Sequence, residues 1–432
     1  MNQAVEQIAA RLERLHPRLI DLSLDRLATL LTRLGSPEQR LPPIVHVAGT
    51  NGKGSTCAFI RSMAEAAGQK VHVYTSPHLV RFNERIRIAG ELVSDERLIA
   101  TMERIEQIND GAPITVFEVI TAAAFDLFAQ TPADLCVLEV GLGGRGDATN
   151  IVETPGACAI ASISLDHRDL LGPTVEIIAA EKAGIMKPGV PVTIGAQPGD
   201  ILRVLLDHAK ARGAPVSLRG QDWDIAPTPS GLRYTDRTAT LDLPAPSLPG
   251  AYQHDNAGIA IAALRAAGLK HDPSGIGHAE WPARLQRLTG RLAALLPPDW
   301  ELWLDGGHNP GAGIVLAEHL SGWQDRPVHL IVGMKQAKDS AEFLRPLLPL
   351  AETLWAVREP DQHAALPVEA IVAASGGIAR PGPRVADALR AIPRGERPAR
   401  VLICGSLYLA GEVLKLNEPT PPQAGVMTGI AG

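Results

Sequence analysis

The stretch "VHVAGTNGKGST", residues 45–56, sets three glycines, a lysine and a closing pair of hydroxyls, Ser55 and Thr56, behind a short apolar run. Those residue types suit phosphate. Glycine lets backbone N–H groups come close to an anion, and a helix start adds its positive pole. Lys53 supplies a point charge for β- and γ-phosphates, and Ser55 or Thr56 can reach a metal or a phosphate oxygen. The spacing is not that of a strict P-loop. Val47 stands where the first glycine belongs, and Gly54 separates Lys53 from the hydroxyl. A plain glycine turn between strand and helix is the competing reading, and the strand-turn-helix context favours phosphate.

Oxygen donors follow at the ends of other apolar runs. "VLEVGLGGRGDATN" ends one with Glu139, "SISLDHRDLLG" another with Asp166 and His167, and "VYTSPHL" a third with Ser76. Ligands of an open parallel sheet gather outside the carboxyl ends of its strands. Magnesium takes oxygen ligands and keeps waters, so two or three such groups beside a triphosphate are chemically sensible. His167 is a less usual partner for so hard a cation. Each residue also has an ordinary role open to it: a strand-end charge for Glu139, a turn hydroxyl for Ser76, a helix cap for His167.

These groups need a scaffold, and the pattern supplies one. "PIVHVAG", "KVHVYTS", "ADLCVLEVG", "ACAIASISL" and "VPVTIGAQ" read as buried strands alternating with helices. That pattern defines a parallel sheet covered on both faces. Ser55 to Ala67 reads as a helix stopped by Gly68, and "YQHDNAGIAIAALRAAG" as one ending at Gly268. Residues 222–243 alternate around a Ser-Gly turn, which predicts a small antiparallel hairpin. A second α/β unit starts near Trp300, with strands in "ELWLDGG", "VHLIVGM", "TLWAVRE" and "RVLICGS". Pro297–Pro298 is the expected linker.

Bulk properties narrow the partners. The 432 residues are 45% hydrophobic and 20% charged, with a net charge of -6 and no basic block. A nucleic-acid surface is not expected. No apolar run reaches membrane-spanning length, and the first residues lack a signal-peptide core. The four cysteines show no metal-binding spacing. A cytoplasmic monomer is the expectation.

"AGTNGKGST", "YTSPHLVRFNERI", "LEVGLGGRGDATN", "LDHRDLLG", "EKAGIMK", "YQHDNAG", "WPARLQ" and "DGGHNP" fall in this order along the chain. In that order the sequence resembles the folylpolyglutamate synthases and dihydrofolate synthases, a branch of the ATP-dependent Mur ligases. The resemblance runs from about Asp21 to the segment at Cys404. It departs in small ways: Tyr252-Gln253 where many relatives carry His, Gly307 where Ala is common, and Ala283 where Gly is common.

The resemblance implies an α/β chain: an N-terminal P-loop parallel-sheet ATPase domain over residues 1–296, and a smaller C-terminal Rossmann-like α/β glutamate-ligase domain over 297–418. Residues 419–432 would be a flexible tail. It implies that Thr50, Asn51, Gly52, Lys53, Gly54 and Ser55 hold ATP phosphates, and that Asn256, Arg284 and Asp305 contact nucleotide. Ser76, Glu139 and His167 would ligate Mg2+, with K+ as an optional further ion. Lys182 would act in catalysis, in carbamylated form in many relatives, and His308 near the reacting phosphate or the incoming amino acid. Asp21, Leu22, Thr115, Phe117, Glu118 and Asp147 would line the pteroyl pocket. The implied reaction joins L-glutamate to dihydropteroate, giving dihydrofolate, and to reduced folates, giving polyglutamates, through an acyl phosphate. A folate-only synthase and a non-ligase nucleotide switch are the alternatives.

Overall fold

In the computed structural model, which describes residues 7–8, 11, 13–16, 21–336 and 339–418, the chain forms two compact units. The first contains Met1–Arg284 and Asn309–Val315, the second Leu285–His308 and Leu316–Gly432. The expected boundary at 296/297 thus lies earlier, at Arg284/Leu285. Strand pairing is the reason: residues 286–288 hydrogen-bond to the second unit's sheet, with Arg287 opposite Trp303. The expected tail at 419–432 lies outside the described residues.

The apolar runs become strands where they were expected. The first sheet contains β1 (Ile44–Ala48), β2 (Val71–Tyr74), β3 (Ile86–Ile88), β4 (Glu91–Leu92), β5 (Leu135–Glu139), β6 (Ala157–Ile160), β7 (Val192–Ile194) and β8 (Val216–Leu218). Its order is β4-β3-β2-β5-β1-β6-β7-β8, parallel apart from the β2-β3-β4 edge. Alternation sorts each strand's side chains onto two faces. Val45, Val47, Leu135 and Val137 pack with the helices Lys53–Ala66 and Tyr252–Ala266. Cys136 and Leu138 point the other way, into a cluster with Phe125 and Phe128 of the helix Val116–Ala129. Burial on both faces explains why these strands read as continuous apolar runs.

Phe59 sits at the centre of the first cluster, fully buried. Phe59→Ala is expected to cost about 3–5 kcal/mol, the usual loss for a large core side chain, as a lower urea midpoint with an unchanged slope.

The expected hairpin carries a third strand. β9 (Trp223–Thr228), β10 (Gly231–Asp236) and β11 (Thr240–Pro244) form one antiparallel sheet. Its inner residues, Trp223, Ile225, Leu232, Tyr234 and Leu243, join the first cluster. The second unit's sheet holds β12 (Gln286–Leu288), β13 (Glu301–Leu304), β14 (Val328–Val332), β15 (Thr353–Ala356), β16 (Arg380–Pro381) and β17 (Arg400–Cys404), in the order β12-β13-β17-β14-β15-β16. All its pairs are parallel except β12 with β13. Both units are therefore α/β, as expected. The four cysteines are buried and unpaired. Among the described residues, no helix is long and apolar enough to cross a membrane.

Candidate active site

The glycine-rich segment leaves the carboxyl end of β1 and enters the helix Lys53–Ala66. Gly52 caps that helix in the left-handed region, φ 87°, and a Cβ there would collide with the Asn256 amide oxygen. Gly54 has no room for a side chain because the Trp281 indole lies against it. Both positions need glycine. The first-turn N–H groups of Lys53, Gly54 and Ser55 are those that helix geometry leaves without an i−4 acceptor. They form the anion-binding end of the segment.

Thr50 and Asn51 are placed differently. Their N–H groups both donate to Ser162 O, at 2.7 and 3.1 Å. The Thr50 hydroxyl donates to Ser164 O at 3.0 Å and accepts the Ser164 N–H at 3.1 Å. These residues frame the loop, and the N–H groups without an i−4 acceptor come from the residues after them. Lys53 Nζ is docked on Gly49 O and Thr50 O, at 3.0 and 3.1 Å, alongside the loop it would serve. Asn256 Nδ2 donates to Gln253 Oε1 at 2.9 Å, and Gln253 Nε2 to the Ser55 hydroxyl at 3.3 Å. Gln253 and Trp281 were not singled out in the sequence, though both lie inside its motifs.

Glu139 ends β5, the strand between β2 and β1, and is 3% exposed. Its Oε2 accepts the Ser76 N–H at 3.1 Å, so two of the three nominated metal ligands adjoin. Burial pushes the Glu139 carboxyl above the usual range, while Lys53, the Ser76 N–H, Arg284 and Arg85 pull it back. His167 caps a short helix at φ 51°, its ring 3.9 Å from Asp166. Among the described residues no three His, Cys, Asp or Glu side chains cluster closely enough to hold a metal ion alone. A cation here needs hydroxyl, water or phosphate oxygens to complete its shell, which is how magnesium is usually held. The donor types fit: a buried carboxylate next to a serine, each an oxygen ligand.

Lys182, on the helix Val175–Ala183, is 5% exposed. Burial, then Lys53, lowers its amine to about 7, against the opposing pull of Asp166, Asp147 and Glu181. A substantial share is therefore neutral near neutral pH.

The residues expected to line the pteroyl pocket form one connected group. Thr115 and Glu118 make a capping box on the helix Val116–Ala129: Glu118 Oε2 accepts the Thr115 N–H at 2.7 Å and its hydroxyl at 2.8 Å. Arg26 links this box to Asp21. It donates to Glu118 Oε2 at 3.2 Å, to Asp21 Oδ2 at 2.9 Å and to Asp21 O at 2.9 Å. Arg26 lies inside "IDLSLDR" and carried no assignment; Asp21 stands five residues earlier, ahead of the helix Asp25–Arg33, so no helical spacing pointed to the pair. Phe117 lies on Gly141, and Leu22 on Gly146, so both touch the glycine-rich turn after β5. Asp147 is 1% exposed, and its oxygens serve that turn, accepting the Leu142 N–H at 2.8 Å and the Thr149 hydroxyl at 2.6 Å.

His46, on β1, continues this chain. Thr149 gives its proton to Asp147, so it accepts from His46 Nε2 at 2.8 Å. Burial, then Lys187, lowers His46 to about 3. An unfolded histidine titrates near 6.5, so the unfolded chain takes up the proton first. His46 therefore stabilises the fold above about pH 6.5 and loses that contribution as pH falls towards 3. Glu139 and Asp147, both raised by burial, act in the opposite sense. Melting followed from pH 7 to 4 should show a shallower decline for His46→Gln than for the wild type; equal slopes would refute the assignment.

Asp305 and His308 belong to the second unit. Asp305 Oδ2 accepts the Leu285 N–H at 2.9 Å and Oδ1 the Gly307 N–H at 2.7 Å. His308 Nδ1 lies 3.0 Å from Gly306 O. A carbonyl only accepts, so neutral His308 carries its proton on Nδ1 rather than on Nε2. Arg284, in the first unit, donates to Ala283 O at 2.8 Å. Ala283 is left-handed at φ 56°.

A phosphate-binding loop beside a buried carboxylate, at the carboxyl edge of a parallel sheet, defines a nucleotide-dependent α/β protein. The model of the Mur ligase middle domain matches residues 47–264. The dihydrofolate synthase/folylpolyglutamate synthase of Escherichia coli K12 is 36% identical over 94% of this chain and 94% of its own. The structure of E. coli FolC in complex with DHPP and ADP superposes with a TM-score of 0.85 at 34% identity, covering 96% of this chain and 97% of that one. A bifunctional folylpolyglutamate synthase/dihydrofolate synthase with Mn, AMPPNP and L-glutamate bound gives a TM-score of 0.83 at 33% identity, covering 94% and 96%. The chain belongs to the dihydrofolate synthase/folylpolyglutamate synthase family of Mur ligases.

Proposed function

We propose that this chain is an ATP-dependent ligase that joins L-glutamate to dihydropteroate and to reduced folates, forming an amide bond through an acyl phosphate. The observation that carries the reading is the meeting of three things at the sheet's carboxyl edge: the docked Lys53 loop, the buried Glu139 and the buried Lys182. The ligands of the solved relatives support it: DHPP and ADP in one, a nucleotide analogue, Mn and L-glutamate in another. A cytoplasmic location accords with four buried, unpaired thiols.

A carboxylate resists amide formation because oxide is a poor leaving group. Transfer of the γ-phosphoryl of ATP to the pteroyl carboxylate supplies a good one. Such transfer needs positioning and neutralised charge more than covalent help. The Lys53, Gly54 and Ser55 N–H groups orient the phosphates, and Lys53 Nζ moves from its loop carbonyls to the transferred group. Ser76, Glu139 and His167 would hold the divalent cation, which would supply charge neutralisation for the phosphates. Lys182, neutral in part, is able to take up carbon dioxide as a carbamate, releasing a proton; the new negative charge would then lie within electrostatic reach of Lys53. Arg26 holds Asp21 and Glu118 in one arrangement at the pteroyl group, with Phe117 and Leu22 supplying apolar surface. We assign glutamate handling to the second unit, where His308 Nε2 takes a proton from the attacking ammonium group. The amine then displaces phosphate.

The test uses dihydropteroate labelled with 18O in its carboxyl group. Phosphate release should require both glutamate and the pteroyl acid, and one labelled oxygen should appear in inorganic phosphate. Turnover without transfer of label removes the acyl phosphate. Turnover with tetrahydrofolate but none with dihydropteroate identifies a folate-only synthase. Phosphate release at full rate with neither substrate identifies a nucleotide switch.

A further inference from the structure

Asn309 follows His308 in "DGGHNP" and had no role in the sequence reading. It belongs to the first unit and is 2% exposed. Its Nδ2 donates to Asn51 Oδ1 and to Asp166 Oδ2, both at 3.0 Å. Its Oδ1 accepts from Asn51 Nδ2 at 3.1 Å and from the Ala312 N–H at 2.9 Å. Both protons and both lone pairs of one amide are thus used. Asn51 Nδ2 also reaches the Ser164 hydroxyl at 3.2 Å. The packing is tight, since a Cβ on Gly311 would fall 2.8 Å from Ser164 Cβ and 3.1 Å from Asn51 Nδ2.

We propose that Asn309 is a positioning residue of the nucleotide site, fixing the phosphate loop through Asn51 and the segment after β6 through Asp166. Asn51 precedes Gly52 and Lys53 in the chain, and Asp166 precedes His167. One buried amide therefore sets the relative placement of two segments that the proposed reaction uses. An amide fits both links, because the Asn51 pair is reciprocal and the bond to Asp166 uses an Nδ2 proton. Losing that amide removes the Asn51 and Asp166 links together.

The simpler account is an N-cap. Asn309 Oδ1 does cap the helix Pro310–Ser321 through Ala312 N. The two accounts separate cleanly. Capping needs only the oxygen, and Asp and Ser are both good N-caps. The links to Asn51 and Asp166 need the Nδ2 protons, which neither substitute has.

The inference rests on the nucleotide reading proposed above, and its test is independent of turnover. Calorimetric binding of Mg·ADP to the full chain is compared for wild type, Asn309→Asp and Asn309→Ser, with melting temperature and the KM for dihydropteroate. Both variants should fold with a lower melting temperature, bind Mg·ADP about 10- to 100-fold more weakly, the range for groups that orient site ligands, and leave the KM for dihydropteroate unchanged. Wild-type Mg·ADP affinity in either folded variant reduces Asn309 to a cap. Equal losses of nucleotide and pteroyl affinity make its role general to the fold. Should the added charge of Asn309→Asp prevent folding, Asn309→Ser carries the test alone. A wild type that binds Mg·ADP yet makes no amide overturns the ligase reading and leaves this one standing.

Discussion

Lys53→Met should lower kcat by about 100- to 1,000-fold, corresponding to about 2.7–4 kcal/mol of transition-state stabilisation lost with one charge-stabilising donor. Phosphoryl transfer spreads negative charge over the equatorial oxygens, and Lys53 is the cation carried by the loop itself. In the structure its amine rests on the Gly49 and Thr50 carbonyls, which hold it at the loop without neutralising it. Methionine keeps much of the stem and loses the charge. The fold should be little affected, because the displaced contacts are two carbonyls that water can satisfy. Steady-state kinetics with saturating ATP reads the effect, and urea denaturation controls for stability. A variant with wild-type kcat and a raised KM for ATP would show that Lys53 binds nucleotide equally in ground and transition states.

Glu139→Gln should separate activity from stability in opposite directions. The carboxyl group is buried at the end of β5, and burial raises its pKa, so the charged form is costly in the folded protein. The amide removes that cost and keeps an oxygen for the Ser76 N–H. The variant should therefore melt at or above the wild-type temperature. Activity should fall by at least about 100-fold, since a direct cation ligand is worth no less than the outer partners that orient one. Part of the loss should return at high Mg2+ or Mn2+. A variant with unchanged divalent-ion dependence would place the cation elsewhere. A strongly lowered melting point would show instead that Glu139 is paired for the sake of the fold.

Local patterns in the chain determined a large part of this protein. Continuous apolar runs became the central strands of both sheets, because a strand buried on both faces has no polar side to show. The Ser55–Ala67 helix and the one ending at Gly268 were legible from periodicity and stop residues. The strand-turn-helix segment at Gly49–Ser55 was legible because its features are local: a few glycines and one lysine between a strand and a helix.

What the sequence could not determine depends on residues far apart in the chain. The third strand, β11, alternates like the rest of residues 222–243, but that it pairs with β10 as a third strand was settled by the fold. The boundary at Arg284 arose from an antiparallel pair between β12 and β13, and the proline linker gave no hint of that pairing. Lys182 beside Glu181 could equally have been a surface helix pair; burial, set by how the helix Val175–Ala183 packs, is what lowers its amine. Asn309 was one polar letter in a motif until the fold set it against Asn51 and Asp166, residues distant in sequence. Backbone preference and hydrophobic period act within a few residues, so a sequence displays them. Burial, and the partners it makes obligatory for each polar atom, exist only once the sheets have assembled.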